Sequence, residues 1–184
     1  MTGFRVVETT TRARSSFLEL VEATVESDDG ARFLRTIVRH PGAVTVVPVT
    51  DDWTHVLLVR QFRAAAGREL LEAPAGKRDV EGEAPELTGR RELEEEVAHR
   101  AGRMVWLAEA YTSPGFSDEY AYIYAALDLV PLTNPHAATA EEAAMSVERV
   151  ALSDTDTLIA EGELVDATTI IGLLLTQRLL QKSA

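Results

Sequence analysis

The sequence predicts an α/β (α+β) fold, a mixed sheet with a few helices, preceded by a small antiparallel β element. Three observations predict it. Two near-continuous apolar runs, "AVTVVPV" (43–49) and "HVLLVRQF" (55–62), read as central strands. Helical patterns are few, one after Pro85, a short one near Ser153 and one after Asp166. Strand-like runs follow one another without the regular strand–helix alternation of βαβ units.

Taken in order, "FLELVEATVES" (17–27) and "ARFLRTIVRH" (31–40) flank the turn signal Asp28–Asp29–Gly30 and predict a hairpin. The two apolar runs then enclose the polar "TDDW" (50–53) and belong to one sheet. "RELLEAPAGK" (68–77) is a further strand that ends at Pro74 and Gly76, before the loop "RDVEGEAP" (78–85). From Glu86 the period changes. Leu87, Arg90, Arg91, Leu93 and Val97 predict one helix of about three turns, with Pro85 in its first turn and Gly102 closing it. Strands "RMVWLAEAY" (103–111) and "YAYIYAALDLV" (120–130) enclose the loop "TSPGFSDE" (112–119). A long loop, 131–144, leads to the strand "MSVERVAL" (145–152). Ser153 with Asp156 reads as a capping box opening a short helix. Asp166 opens the last helix, whose apolar residues cover more than one stripe, so it is expected to be well buried or at an interface.

Length and charge narrow the function. A chain of 184 residues fits one domain with a small appended element. The net charge of −12 argues against a nucleic-acid or anionic-membrane surface, which needs clustered Lys and Arg, and suits divalent cations. With no cysteine there is no disulfide, no thiol nucleophile and no zinc–thiolate site. The N-terminal stretch lacks the apolar core of a signal peptide and no apolar run is long enough to span a membrane. The expectation is a cytoplasmic protein. His40, His55, His99 and His136 show no metal-ligand spacing, and Trp53 and Trp106 read as core or interface residues.

The helix after Pro85 poses the chemical question. Four glutamates fall within the five positions 92–96. Glu92, Glu95 and Glu96 share a face at i, i+3 and i+4, next to the apolar strip Leu93–Val97, while Glu94 points elsewhere. Like charges so spaced cost roughly 0.2–0.5 kcal/mol per pair on an isolated helix. Two readings stand: an acidic solvated face with arginine partners, or a site for a hard divalent cation, with Arg91 orienting one carboxylate.

The surrounding sequence favours the second. Gly76 to His99, "GKRDVEGEAPELTGRRELEEEVAH", resembles the Nudix box, in which a glycine and a glutamate precede Arg-Glu-apolar-x-Glu-Glu-x-Gly-apolar. Gly76, Glu83, Arg91, Glu92, Leu93, Glu95 and Glu96 match. The Gly76–Glu83 interval is one residue longer than the pattern, so its loop must bulge. Ala98 replaces the second glycine, a mild change if that position is helical, and His99 replaces the last apolar residue. "RQFR" (60–63), "ELLEAPAGK" (69–77) and "SPGFSDE" (113–119) are similar to the ADP-ribose pyrophosphatase branch of that family. The likeness runs from about Phe17 to Leu180 and is weakest at the N-terminus and in the loop before Met145.

The resemblance implies a Nudix α/β/α sandwich over residues 43–184 and a dimerising N-terminal β element over 1–42. It implies Mg²⁺, or Mn²⁺, held by Glu92, Glu95, Glu96 and the Ala75 carbonyl, with Glu96 also in the catalytic set. The implied reaction is hydrolysis of ADP-ribose to AMP and ribose 5-phosphate, by in-line attack on phosphorus. A catalytic glutamate is implied in the loop before the last strand, Glu141 first and Glu142 as its rival, the alternative being plain loop polarity. Arg63 is implied in phosphate contact or, alternatively, pairs with an acid. Glu72 either serves the terminal ribose or a metal-held water, or partners a neighbouring arginine. Phe116 and Ser117 lie in a loop suited to a substrate ribose, and Phe116 reads equally as a loop anchor. The implied partners are a small nucleoside diphosphate sugar and a second copy of the chain. The box reads a pyrophosphate and not its ends, so another nucleoside diphosphate sugar or a dinucleotide remains an alternative substrate. A sensor that binds ADP-ribose without turnover is the alternative of another class.

Overall fold

The computed structural model describes residues 3–133 and 144–182. They form two compact units, one of Met1–Gly42 with Ala110–Tyr120, the other of Ala43–Glu109 with Ala121–Ala184.

In the first unit β1 (Phe4–Arg14), β2 (Glu19–Ser27) and β3 (Arg32–Arg39) form an antiparallel sheet in that order. The expected β2–β3 hairpin is present, with Glu26 opposite Arg32 and Gly30 at the φ of +85° that the turn requires. β1 is an addition to the expectation. It is exposed at every position, so its sequence carries no inside–outside alternation to reveal a strand. Arg5 and Arg32 both pair with Glu26, Arg12 pairs with Glu22, and Arg14 meets Glu19 at 2.7 Å.

The second unit contains β4 (Ala43–Pro48), β5 (His55–Arg63), β6 (Arg68–Glu72), β7 (Ala75–Lys77), α1 (Pro85–Val97), β10 (Ser146–Ala151), α2 (Thr155–Ala160) and α3 (Ala167–Gln181). It also holds most of β8 (His99–Tyr111) and β9 (Tyr120–Pro131). One sheet has the order β7-β4-β9-β8, with β4 parallel to β9 and antiparallel to β7. The other has the order β10-β5-β6 and is antiparallel. The two apolar runs are thus central strands, but of different sheets. The run 68–77 is likewise two strands rather than one. It breaks at Ala73–Pro74, where proline has no N–H for a ladder, and sends β6 and β7 to separate sheets.

β4 shows why its sequence is apolar on both faces. Val44 and Val46 join Leu93 and Val97 of α1 in one core cluster, while Val47 joins Leu173 of α3 in another. Helices therefore cover β4 on opposite faces, the α/β/α arrangement. Both approach closely. A Cβ on Gly89 would lie 2.9 Å from Val46, and one on Gly172 would lie 2.7 Å from Val47.

Two helix boundaries differ from expectation. α1 ends at Val97, and Ala98 takes the left-handed conformation, φ 55°. Gly102 lies within β8, where a Cβ would come 3.0 Å from that of Asp128, itself at φ 57°. The box alanine is thus not helical, and the mild substitution foreseen there carries a cost of about 1–2 kcal/mol for a left-handed residue with a Cβ. α2 begins after Asp154 without a side-chain cap bond, and Ser153 lies in a 3₁₀ turn, so there is no capping box. Asp166 does cap α3, accepting from the Thr169 N–H at 2.7 Å. α3 buries a single face, Thr169, Gly172, Leu173 and Thr176. Trp53 and Trp106 are exposed rather than core.

Candidate active site

Two elements build the glutamate site. The short strand β7 is held in register by β4, with Ala75 opposite Thr45. α1 is pressed on the same sheet through Gly89, Leu93 and Val97. The helical period then turns Glu92 and Glu96 toward β7. The Ala75 N–H donates to Glu96 Oε2 at 3.1 Å. Glu92 is buried, and a Cβ on Gly76 would come within 2.0 Å of its carboxyl carbon. Gly76 is therefore a cradle that leaves Glu92 its room.

Arg91 holds the carboxylates together. Its Nη1 lies 2.8 Å from Glu92 Oε1 and 3.2 Å from Glu95 Oε2, and its Nη2 lies 3.6 Å from Asp79. Burial works against the Arg91 charge, but Glu92, Glu95, Asp79 and Glu83 more than offset it and raise its pKa. Its Nε and Nη2 are buried without a hydrogen bond among the described residues, so the guanidinium is set by charge as much as by geometry. Arg91 and Glu95 also line a hollow of about 550 Å³ on the outer side of α1. The other charges there are paired: Arg90 meets Glu86 at 2.9 Å, and Arg100 meets Glu94 at 2.9 Å.

The first box glutamate has a structural task. Thr88 Oγ1 donates to Glu83 Oε2 at 2.7 Å, and Arg78 Nη2 donates to the Glu83 carbonyl at 3.1 Å. The extra residue of the loop is taken up by a turn, in which the Glu83 N–H meets the Val80 carbonyl at 3.2 Å and Gly82 has a φ of +77°.

Arg63 and Glu72 form a second group. Glu72 is buried and accepts from Arg63 Nε at 3.0 Å and from Gln61 Nε2 at 3.2 Å. Burial disfavours the Arg63 charge, whereas Glu72, then Glu96 and Asp166, favour it and raise its pKa. The Arg63 guanidinium thus stands in the field of both glutamate groups. Gln61 and Asp166 are additions to the sequence reading. Asp166 was legible only as a helix cap, since nothing in the sequence links it to Arg63.

Phe116 and Ser117 belong to the first unit, in the loop between β8 and β9. Phe116 is exposed and its carbonyl accepts from the Val38 N–H at 2.8 Å. Ser117 Oγ accepts from the Glu119 N–H at 3.1 Å, and Asp118 accepts from the His40 N–H at 2.8 Å. Glu141 and Glu142 lie outside the described residues.

The donors suit a hard cation. Carboxylates and the Ala75 carbonyl supply oxygen only, and the Gly76 cradle keeps a Cβ from Glu92. Among the described residues no three acidic or histidine side chains gather closely enough to hold an ion by themselves.

The chain is similar to known proteins over most of its length. Residues 39–167 match the family described as NUDIX domain. The ADP-ribose pyrophosphatase of Bacillus subtilis is 38% identical over 156 residues, 85% of this chain and 83% of the relative. The ADP-ribose pyrophosphatase of Mycobacterium tuberculosis is 36% identical over 93% of this chain and 82% of its own length. The methanol dehydrogenase activator of Bacillus methanolicus is also 36% identical, over 81% of this chain and 79% of the relative. The crystal structure of an ADP compounds hydrolase matches this chain over all of its residues and 97% of its own, with a TM-score of 0.85. At 23% identity, that likeness concerns the fold.

Proposed function

The chain belongs to the Nudix family, and from that premise we propose that it hydrolyses the pyrophosphate of ADP-ribose to AMP and ribose 5-phosphate. The observation that carries the reading is the gathering of Glu92 and Glu96 on the Ala75–Gly76 peptide, with Arg91 shared between Glu92 and Glu95. The choice of ADP-ribose among pyrophosphates is supported by two relatives of that name, at 38% and 36% identity.

Mg²⁺, with Mn²⁺ as substitute, is the proposed cofactor, held by Glu92, Glu95, Glu96 and the Ala75 carbonyl. When bound it supplies Lewis-acid charge to the phosphoryl oxygens and activates water. The protein's own part is placement. Arg91 neutralises like charges that would otherwise spread apart. Arg63, charged and held by Glu72, presents its remaining donors to a phosphate. Glu141, or Glu142, takes the proton of the attacking water, and Phe116 and Ser117 meet the terminal ribose. No helix among the described residues is long and apolar enough to cross a membrane, and we place the protein in the cytoplasm. Residues 1–42 form the dimerising element of a homodimer. Support comes from Phe4, Val6, Val7 and Leu34, large apolar side chains left exposed in the first unit.

The test is product analysis with ADP-ribose and Mg²⁺, beside ADP-glucose and NADH. AMP and ribose 5-phosphate are expected. Binding of ADP-ribose without turnover of any of the three would favour a sensor instead. Preferred turnover of ADP-glucose or NADH would move the substrate to another member of the same class.

A further inference from the structure

The link between β6 and β7 is held by side chains from two helices. The Ala75 N–H goes to Glu96 of α1 at 3.1 Å. The Ala73 N–H goes to Thr169 Oγ1 of α3 at 2.9 Å. Pro74 has no N–H, and its carbonyl accepts from the Val46 N–H at 2.9 Å. Ala73 and Thr169 are fully buried, so neither can exchange its partner for water.

Thr169 is itself fixed at both ends. Its N–H is taken by the α3 cap, Asp166, at 2.7 Å. Thr168 Oγ1 also donates to Asp166 at 2.7 Å and accepts from Thr45 Oγ1 at 3.0 Å. Thr45 is the ladder partner of Ala75. The first turn of α3 therefore touches the link directly at Ala73 and, through Thr168 and Thr45, the strand opposite Ala75. One helical turn on, Gly172 lets α3 lie against Val47 with no room for a Cβ. α3 has little freedom to move away from β4.

We propose that Thr169 is a positioning residue for the cation site, fixing the Ala73–Ala75 peptide from α3 as Glu96 fixes it from α1. This rests on the reading that Glu96 and the Ala75 carbonyl hold the cation. Thr169 does not touch the ion. Its hydroxyl sets where the carbonyl that does touch it can stand, as outer partners set metal ligands in general.

The experiment titrates the full-length protein with Mn²⁺ alone, reading free Mn²⁺ by electron paramagnetic resonance. Thr169→Val keeps the shape and removes the acceptor. It is expected to weaken Mn²⁺ binding about 10-fold. Thr169→Ser keeps the hydroxyl and should keep the parent affinity. Thr176→Val is the matched control, because Thr176 is fully buried on the same face of α3 and its hydroxyl has no hydrogen-bond partner among the described residues. It should also bind as the parent does. Melting curves without metal establish that each variant is folded. Should Thr169→Val fail to fold, Thr169→Ala beside Thr169→Ser makes the same comparison. Parent-like binding by Thr169→Val, with binding lost in Glu96→Gln, overturns the role of Thr169 and leaves the site standing. Equal weakening by Thr169→Val and Thr176→Val also overturns it, as a general packing effect. No Mn²⁺ binding by the parent, or binding indifferent to Glu96→Gln, overturns the site reading and this proposal together.

Discussion

β4 and β1 are both strands rich in β-branched residues, yet β4 is buried at five of its six positions and β1 at none of its eleven. β4 is covered on both faces by helices of its own unit, through Val44 and Val46 on one side and Val47 on the other. β1 has one hydrogen-bonded neighbour, β2, and a row of Arg–Glu pairs. The arginines of these pairs stay largely in water, so the pairs add little to stability. Apolar composition alone therefore does not mark a core. What marks it in β4 is apolarity on consecutive positions, with glycines on the facing helices. The proposed cation site lies beside this close helix–strand packing and is expected to be sensitive to single atoms.

The largest expected effect is at the cradle. Gly76→Ala places a Cβ 2.1 Å from Glu92 Oε1, at the end of a flexible side chain that can swing away. Turnover of ADP-ribose should fall on the order of 100-fold, because misplacing a reacting group by an ångström costs about that much. The melting temperature should fall as well, since Glu92 is buried and paired with Arg91. A large loss of stability with activity retained would contradict the cradle.

Next comes the contrast between the two strands. Gly172→Ala forces a methyl against Val47, at 2.7 Å, and should cost about 1–3 kcal/mol in a denaturant titration. Thr10→Val in β1 changes an exposed side chain of similar size and should stay within about 0.5 kcal/mol. Equal costs would erase the distinction drawn between the strands.

Ala98→Gly should go the other way. The left-handed φ of 55° penalises a Cβ, so glycine should stabilise the folded chain by about 1 kcal/mol. The gain would appear as a raised melting temperature with turnover unchanged.

The smallest change in subunit stability is expected in β1. Phe4→Ser with Val6→Ser should leave the melting of each subunit nearly as it was. In light scattering the molar mass should shift from two chains to one as the protein is diluted. A mass of one chain for the parent would remove the dimer.

Much of this was legible in the sequence because local rules and tertiary packing agree. The spacing of Glu92, Glu95 and Glu96 beside Leu93 and Val97 fixed one carboxylate face of α1, and Asp166 announced α3. The breaks in legibility have physical causes. β1 gave no alternation because neither of its faces is buried. The run 68–77 looked continuous because each half is a good strand, and only Pro74 divides them between sheets. Gly102 looked like a helix stop because its actual task, room beside Asp128, is set by a strand lying far along the chain. Ala98 ends α1 against its own preference. Within the site, the pairing of Arg63 with Glu72 was open in the sequence as one of two readings. The bond from Ala73 to Thr169 had no local signal at all, because its partners lie on elements that meet only in the folded sheet.

The most direct measurement is ADP-ribose turnover by the parent and by Glu96→Gln, at saturating Mg²⁺ and with both proteins shown to be folded. AMP and ribose 5-phosphate from the parent, and next to none from Glu96→Gln, is the predicted result. Unchanged turnover by Glu96→Gln would contradict the assignment of the α1 glutamates to the reacting site.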